Sequence, residues 1–226
     1  MTQSWLPLEA NPDLLTEYSR TLGLPADVHF HDVLSVDAWA LEMIPTPIKA
    51  ILLLFPLSGD DADCCNAGAD PSTDVVFMKQ LVENACGTIA ILHAMLNLHE
   101  QGKLYLAPDC YVRRMYDSIR SLDPEQRGVW LSKDAEIAKA HASIESEGQS
   151  AVSSGEIDTH FIAFSQSPDG SIVIELDGRK NGPVYHGPLS RDTESDAFGL
   201  AVLDVIKHDF IAKNPDDIRF SIIALS

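Results

Sequence analysis

The sequence predicts an α/β fold built on a central, antiparallel-rich β-sheet flanked by helices. Ala50-Ile-Leu-Leu-Leu-Phe-Pro56 is a continuous apolar run, the mark of a strand covered on both faces at a sheet centre. His160-Phe-Ile-Ala-Phe-Ser-Gln166 and Ser171-Ile-Val-Ile-Glu-Leu176 flank Ser-Pro-Asp-Gly, a turn signal that joins antiparallel strands. Between these strands lie stretches of helical spacing, led by Thr88-Ile-Ala-Ile-Leu-His-Ala-Met-Leu96. At 226 residues, with 45% hydrophobic and 22% charged side chains, the chain suits a single domain with a sizeable core, spanning residues 1–226.

In chain order, the first expected element is a helix over 12–22, with Asn11 as N-cap, Pro12 at its first position and Gly23 as its stop. Alternation over 28–33 reads as a strand, and 37–43 as a short helix ended before Pro45. Residues 57–73 carry Gly, Asp, Ser and Pro without periodicity, so a loop is expected. After the helix at Cys86, helical patterns cover 110–121 and 124–144, the second entered at Asp123-Pro124. Residues 145–156, rich in Ser, Gly and Glu, cannot bury enough surface to order themselves and are read as a mobile excursion within one domain. The hairpin follows, then a short Pro-Val-Tyr strand before His186, a long helix over 194–212 and a last strand over 218–225. No internal repeat is present.

Composition excludes several classes. With 34 acidic against 16 basic residues, the net charge is -18, which repels nucleic acid and anionic membrane surfaces; taken alone it reads first as simple solubility, and otherwise as attraction to a basic protein or peptide. No run is long enough to span a bilayer, and Met1-Thr-Gln-Ser-Trp5 lacks a secretory n-region. Cys64, Cys65, Cys86 and Cys110 show neither metal spacing nor a disulfide framework. Cys64-Cys65 reads as a pair of loop thiols. A reducing compartment, cytoplasm or nucleus, and no cofactor or metal are therefore expected.

The chemistry concentrates around Gln80-Leu-Val-Glu-Asn-Ala-Cys86-Gly. Cys86 opens an apolar helix, where unpaired N–H groups and the positive end of the macrodipole favour thiolate, the nucleophilic form. A side-chain amide just upstream, Gln80, can stabilise an oxyanion. A hairpin centred on Pro168-Asp169 sets His160 opposite Asp177, or one bulge out of register. A carboxylate there fixes the imidazole tautomer and stabilises imidazolium, leaving the other nitrogen for a thiol proton. Together these form a candidate Cys86–His160–Asp177 triad. Taken singly, the same residues also read as a small buried cysteine and a surface His–Asp pair. Of the other histidines, His93 is expected to face the core, His29 and His31 share one strand face, and His99, His141 and His208 read as solvated. His186 is the rival base.

At this point the chain resembles the ubiquitin C-terminal hydrolases, papain-like cysteine proteases. The matching stretches are Trp5-Leu-Pro-Leu-Glu-Ala-Asn-Pro12, Ala50-Ile-Leu-Leu-Leu-Phe-Pro56, Phe77-Met-Lys-Gln80, Asn84-Ala-Cys-Gly-Thr88, His160-Phe-Ile-Ala163, Glu175-Leu-Asp-Gly-Arg-Lys180, and Arg219-Phe followed by Ile223-Ala-Leu225. The resemblance implies Cys86 as nucleophile, His160 as base then acid, Asp177 as the residue orienting it, and Gln80 as oxyanion donor. It implies a monomer that binds ubiquitin or a ubiquitin-like modifier, with Glu9, Asp13 and Asp32 guiding a basic tail, and cleaves small or unfolded adducts. It also implies a crossover loop near 145–158 and a knotted chain path, against the general rule. A catalytically weak protein that holds free ubiquitin is the alternative, and a papain-like acyltransferase a more distant one. Two departures stand near the site. Glu83 would oppose thiolate formation if it pointed inward, and Tyr185 replaces a commoner Asn.

Overall fold

The computed structural model describes residues 4–57, 75–145, 158–189 and 196–226. Helix α1 (Pro12–Leu22) is capped as its sequence predicts: the Asn11 side chain accepts from the N–H groups of Asp13 and Leu14, and Gly23 takes the left-handed conformation at φ 119°. Strand β1 (Phe30–Asp32) is shorter than expected, and a 3-10 helix at Ala38–Met43 stands where the short helix was read. Strand β2 (Ala50–Pro56) follows, then helix α2 (Cys86–Glu100), whose side chains from Cys86 to Leu98 are all buried.

Helix α3 covers Tyr111–Ile119. The single helix expected over 124–144 is two, α4 (Pro124–Lys133) and α5 (Ala135–Glu145). Asp134 separates them. Its backbone is extended, and its carboxylate accepts from the N–H groups of Glu136 and Ile137, starting the second helix as it ends the first. Strands β3 (Thr159–Gln166), β4 (Ile172–Leu176) and β5 (Val184–Pro188) precede helix α6 (Ala197–Val205). The helical path continues through a π turn at Ile206–Phe210 and a 3-10 turn at Ile211–Lys213, and strand β6 (Ser221–Leu225) closes the chain.

The six strands form one antiparallel sheet in the order β1-β6-β2-β3-β4-β5, with the apolar β2 inside it. One face carries α2, packed along β3 and surrounded by α1 and α3. The other face packs against the 3-10 helix and α6. The expected hairpin register is wrong by two residues. The expected pairing would set Leu176 against Phe161, whereas β4 places Leu176 opposite Ala163. Pro168 and Asp169 do occupy the centre of a turn closed by Gly170 N–H on Ser167 O (2.8 Å). Gly170 then adopts φ 72°, and strand pairing resumes only at Ser167 N–H on Ile172 O (2.9 Å). A turn of this hand does not match strand twist, so extra residues are needed before the ladder restarts. Because the slip is even, His160 and Asp177 keep a common face.

The crossover read at 145–158 falls almost wholly on residues 146–157, which lie outside the described residues, as does the chain path a knot requires. The same holds for most of the 57–73 loop with Cys64 and Cys65, and for the expected helix start at 194. Among the described residues, no helix is long and apolar enough to cross a membrane.

Candidate active site

Cys86, the candidate nucleophile, is the first residue of α2. Asn84 enters the helix with φ 61°, a left-handed conformation that Asn tolerates better than other non-glycine residues. Its Nδ2 donates to Trp5 O at 2.9 Å. No side chain caps the helix at Ala85, so the first N–H groups face whatever anion sits there. Cys86 is 8% exposed. Burial pushes its thiol pKa up, but the hydrogen bond and charge of His160, with N–H groups of Phe161 and Gly87, outweigh this and hold it below the ordinary value.

His160 lies near the start of β3, its Nε2 2.7 Å from Asp177 Oδ1, both side chains buried. With Nε2 occupied, Nδ1 is the ring nitrogen left for the thiol. Burial alone would lower the imidazole pKa, yet the hydrogen bonds and charges of Asp177 and Cys86 raise it to about 9. Asp177 sits just past the end of β4. Burial opposes its ionisation, but His160, the Arg179 N–H at 2.8 Å and the Lys180 charge keep its pKa below the usual carboxylate value. The three groups therefore favour a resting thiolate–imidazolium pair, a coupled system rather than three independent titrations.

Gln80 is half-buried on the segment that passes this cluster. Its backbone N–H donates to Gly178 O at 2.8 Å. One amide hydrogen goes to Val82 O at 3.2 Å, which leaves the second for another acceptor. Glu83, which would oppose the thiolate if it pointed inward, is exposed to solvent. Tyr185 packs against the α2-side core.

Glu9 and Asp13, with Asp32 from β1, line one groove of about 620 Å³ with His31, Leu34 and Met43. Burial, followed by the Asp13 charge, raises the Asp32 pKa. The groove connects to the turn before Cys86 through the segment before α1. Trp5 N–H donates to Glu83 O at 3.0 Å, and Leu8 approaches so closely that a Cβ on Gly87 would lie 3.1 Å from it.

The remaining histidines divide. His186 is not a base for this site: its Nε2 meets Glu175 Oε2 at 3.0 Å and its Nδ1 faces Asp209. His93 is buried as expected, accepting the Met78 N–H at 3.0 Å and stacking on Phe77. Burial lowers its pKa to about 4, so it stays neutral. His29 and His31 lie side by side, with ring centroids 6.3 Å apart. His208 is exposed as read, but His99 is half-buried, its Nδ1 on Leu104 O.

His141, read as solvated, is 1% exposed. Its Nε2 lies 2.7 Å from Leu6 O, its Nδ1 2.8 Å from Thr88 Oγ1, and Thr88 is 2.9 Å from Tyr18 OH. This ties α1, α2, α5 and the segment beside Cys86 together. The sequence signal existed: Ile137, His141 and Ile144 fall on one helix face, and all three are buried. Among the described residues, no cluster of His, Cys, Asp and Glu could hold a metal ion.

The family model described as ubiquitin carboxyl-terminal hydrolase, family 1, matches residues 5–210. Ubiquitin carboxyl-terminal hydrolase 3 of Arabidopsis thaliana is 37% identical, covering 100% of this chain and 95% of that protein. A ubiquitin carboxyl-terminal hydrolase of Drosophila melanogaster is 34% identical, covering 99% of this chain and 97% of its own. The crystal structure of the Trichinella spiralis UCH37 catalytic domain bound to ubiquitin vinyl methyl ester shares the fold, with a TM-score of 0.78 at 22% identity over 98% of this chain and 94% of that one.

Proposed function

Because the chain belongs to family 1 of the ubiquitin carboxyl-terminal hydrolases, we propose that it is a cysteine-type deubiquitinase that works through an acyl-enzyme. The observation that carries this reading is the buried array of Cys86 at the start of α2 with His160 of β3 and Asp177 after β4, a 2.7 Å bond fixing the imidazole. The Cys86 thiolate attacks the carbonyl of ubiquitin's last glycine, and the negative charge that develops on oxygen is held by Gln80 and the helix-start N–H groups. The imidazolium of His160 protonates the leaving amine, breaking the C–N bond. His160, now neutral, takes a proton from water, which attacks the thioester and releases Cys86. Asp177 keeps the ring oriented and its cation stable through both halves.

Cys86 is 8% and His160 3% exposed, so the reacting carbonyl must arrive on a narrow, extended segment. That supports a glycine-ended tail as acyl donor and a small or unfolded leaving group. The groove of Glu9, Asp13 and Asp32 suits the basic residues of that tail. A nucleophilic Cys86 works only when reduced, which supports action in the cytoplasm or nucleus.

The test is covalent capture by ubiquitin carrying a C-terminal electrophile. Native protein should form a one-to-one adduct, and Cys86→Ala none while still binding free ubiquitin. An adduct formed equally by Cys86→Ala, or no adduct with native protein, would overturn the assignment.

A further inference from the structure

We propose that Lys79 is a positioning residue that locks the Gln80 segment to the turn bearing Asp177. This rests on the roles given above to Cys86, His160, Asp177 and Gln80. Lys79 Nζ donates to Lys180 O at 2.6 Å, Arg179 O at 3.1 Å and Asn181 Oδ1 at 3.3 Å. An ammonium has three hydrogens, and here three oxygens of one short turn receive them. That turn starts at Asp177, whose carboxylate accepts the Arg179 N–H and whose carbonyl accepts the Lys180 N–H at 3.0 Å.

The backbones are also brought together. Gln80 N–H donates to Gly178 O, and a Cβ on Gly178 would lie 3.0 Å from Gln80 Cβ and 3.2 Å from Gln80 N. Only glycine allows so close an approach without displacement. From the opposite side, Lys180 pairs with the buried carboxylate of Glu175 in β4. The turn is thus fastened to β4 by Lys180 and to the Gln80 segment by Lys79. That segment belongs to neither helix nor strand, so no ladder holds it in register. Lys79 therefore couples the group that orients the imidazole to the group that receives the oxyanion.

The experiment compares native protein, Lys79→Met and Asn181→Ala, using ubiquitin with a C-terminal fluorogenic amide. It also follows iodoacetamide alkylation of Cys86, read by peptide mass, as a function of pH. Lys79→Met should lower kcat by roughly 10–100-fold with KM within about threefold, the scale of an ångström-sized misplacement. The alkylation profile should move to higher pH as Asp177 loosens from His160. In an Asp177→Asn background the same substitution should cost far less. Asn181 is exposed, so Asn181→Ala keeps the fold and decides the matter if Lys79→Met does not fold; it should show the same shift, smaller. Unchanged kcat and alkylation profile, or an equal cost with and without Asp177, overturns the coupling. Native protein that fails to turn over ubiquitin amide overturns the functional reading itself, an outcome distinct from a variant that matches active native protein.

Discussion

At Cys86 and His160, ownership of one proton is decided by groups that act in opposite directions. Burial favours the neutral thiol and the neutral ring. Asp177 and the two N–H groups on the sulfur favour the charged pair, and they win because the charges are formed next to each other in a site already lined with donors. The sign of the pH response follows. His160 keeps its proton until about pH 9 rather than losing it near 6.5, so the acid proposed to protonate the leaving amine is present across neutral pH and lost on the alkaline side. The thiolate is lost on the acid side, below the lowered thiol value. The profile of kcat/KM should therefore be a bell whose alkaline limb falls near pH 9. Asp177→Asn removes the charge that raises the imidazole while the burial that lowers it remains, so that limb should move toward neutral pH. Turnover should fall on the order of a hundredfold or more. An alkaline limb that stays in place in Asp177→Asn, measured over the same buffers, would show that Asp177 does not set the ring's basicity.

The elements are arranged so that α2 can start without a side-chain cap and still be held firmly. Asn84 fastens the turn before it to Trp5, and within its first turn Thr88 joins Tyr18 and His141. The Leu6 carbonyl can only accept, so His141 Nε2 carries a hydrogen; when the ring is neutral its Nδ1 accepts from Thr88, which then accepts from Tyr18. Thr88→Val keeps the shape and removes both buried hydrogen bonds of Thr88, at about 0.5–1.5 kcal/mol for each. The urea midpoint should drop accordingly with little change in slope, and an unchanged midpoint would show that the three helices do not depend on this link. Much of this level was legible beforehand. Asn11, Pro12 and Gly23 announce α1 because capping is local chemistry, and the uniform apolarity of β2 and α2 announces burial. What escaped depends on non-local geometry. His141 looks solvated in a polar neighbourhood until its two isoleucine neighbours are placed on the same face. Asp134 reads as helix interior until its carboxylate is seen to serve the next helix. The hairpin's residues were right and its register wrong, since a turn sequence does not state how many residues the loop needs before pairing resumes.

Over the whole molecule, the net charge of -18 had two readings, solubility or attraction to a basic partner, and a count of charges cannot separate them. The distribution of charge can. Glu9, Asp13 and Asp32 come from a loop, a helix and a strand, and they converge on one groove. There Asp32 is already resisted by burial and by Asp13. A basic ligand tail entering the groove relieves that repulsion, so the free energy of binding gains from charges the protein holds at a cost when empty. Neutralising one acid therefore removes an attraction and some of the repulsion together. Asp32→Asn should raise KM for ubiquitin substrates a few-fold and flatten its rise with salt, while kcat and Cys86 alkylation hold steady because the groove lies outside the triad. Native protein should lose ubiquitin affinity as ionic strength approaches physiological values, where screening reaches about 8 Å. The comparison is a KM series against salt for the two proteins. Parallel lines would mean that Asp32 plays no part in the attraction, and a flat native line would return the acidity to mere solubility.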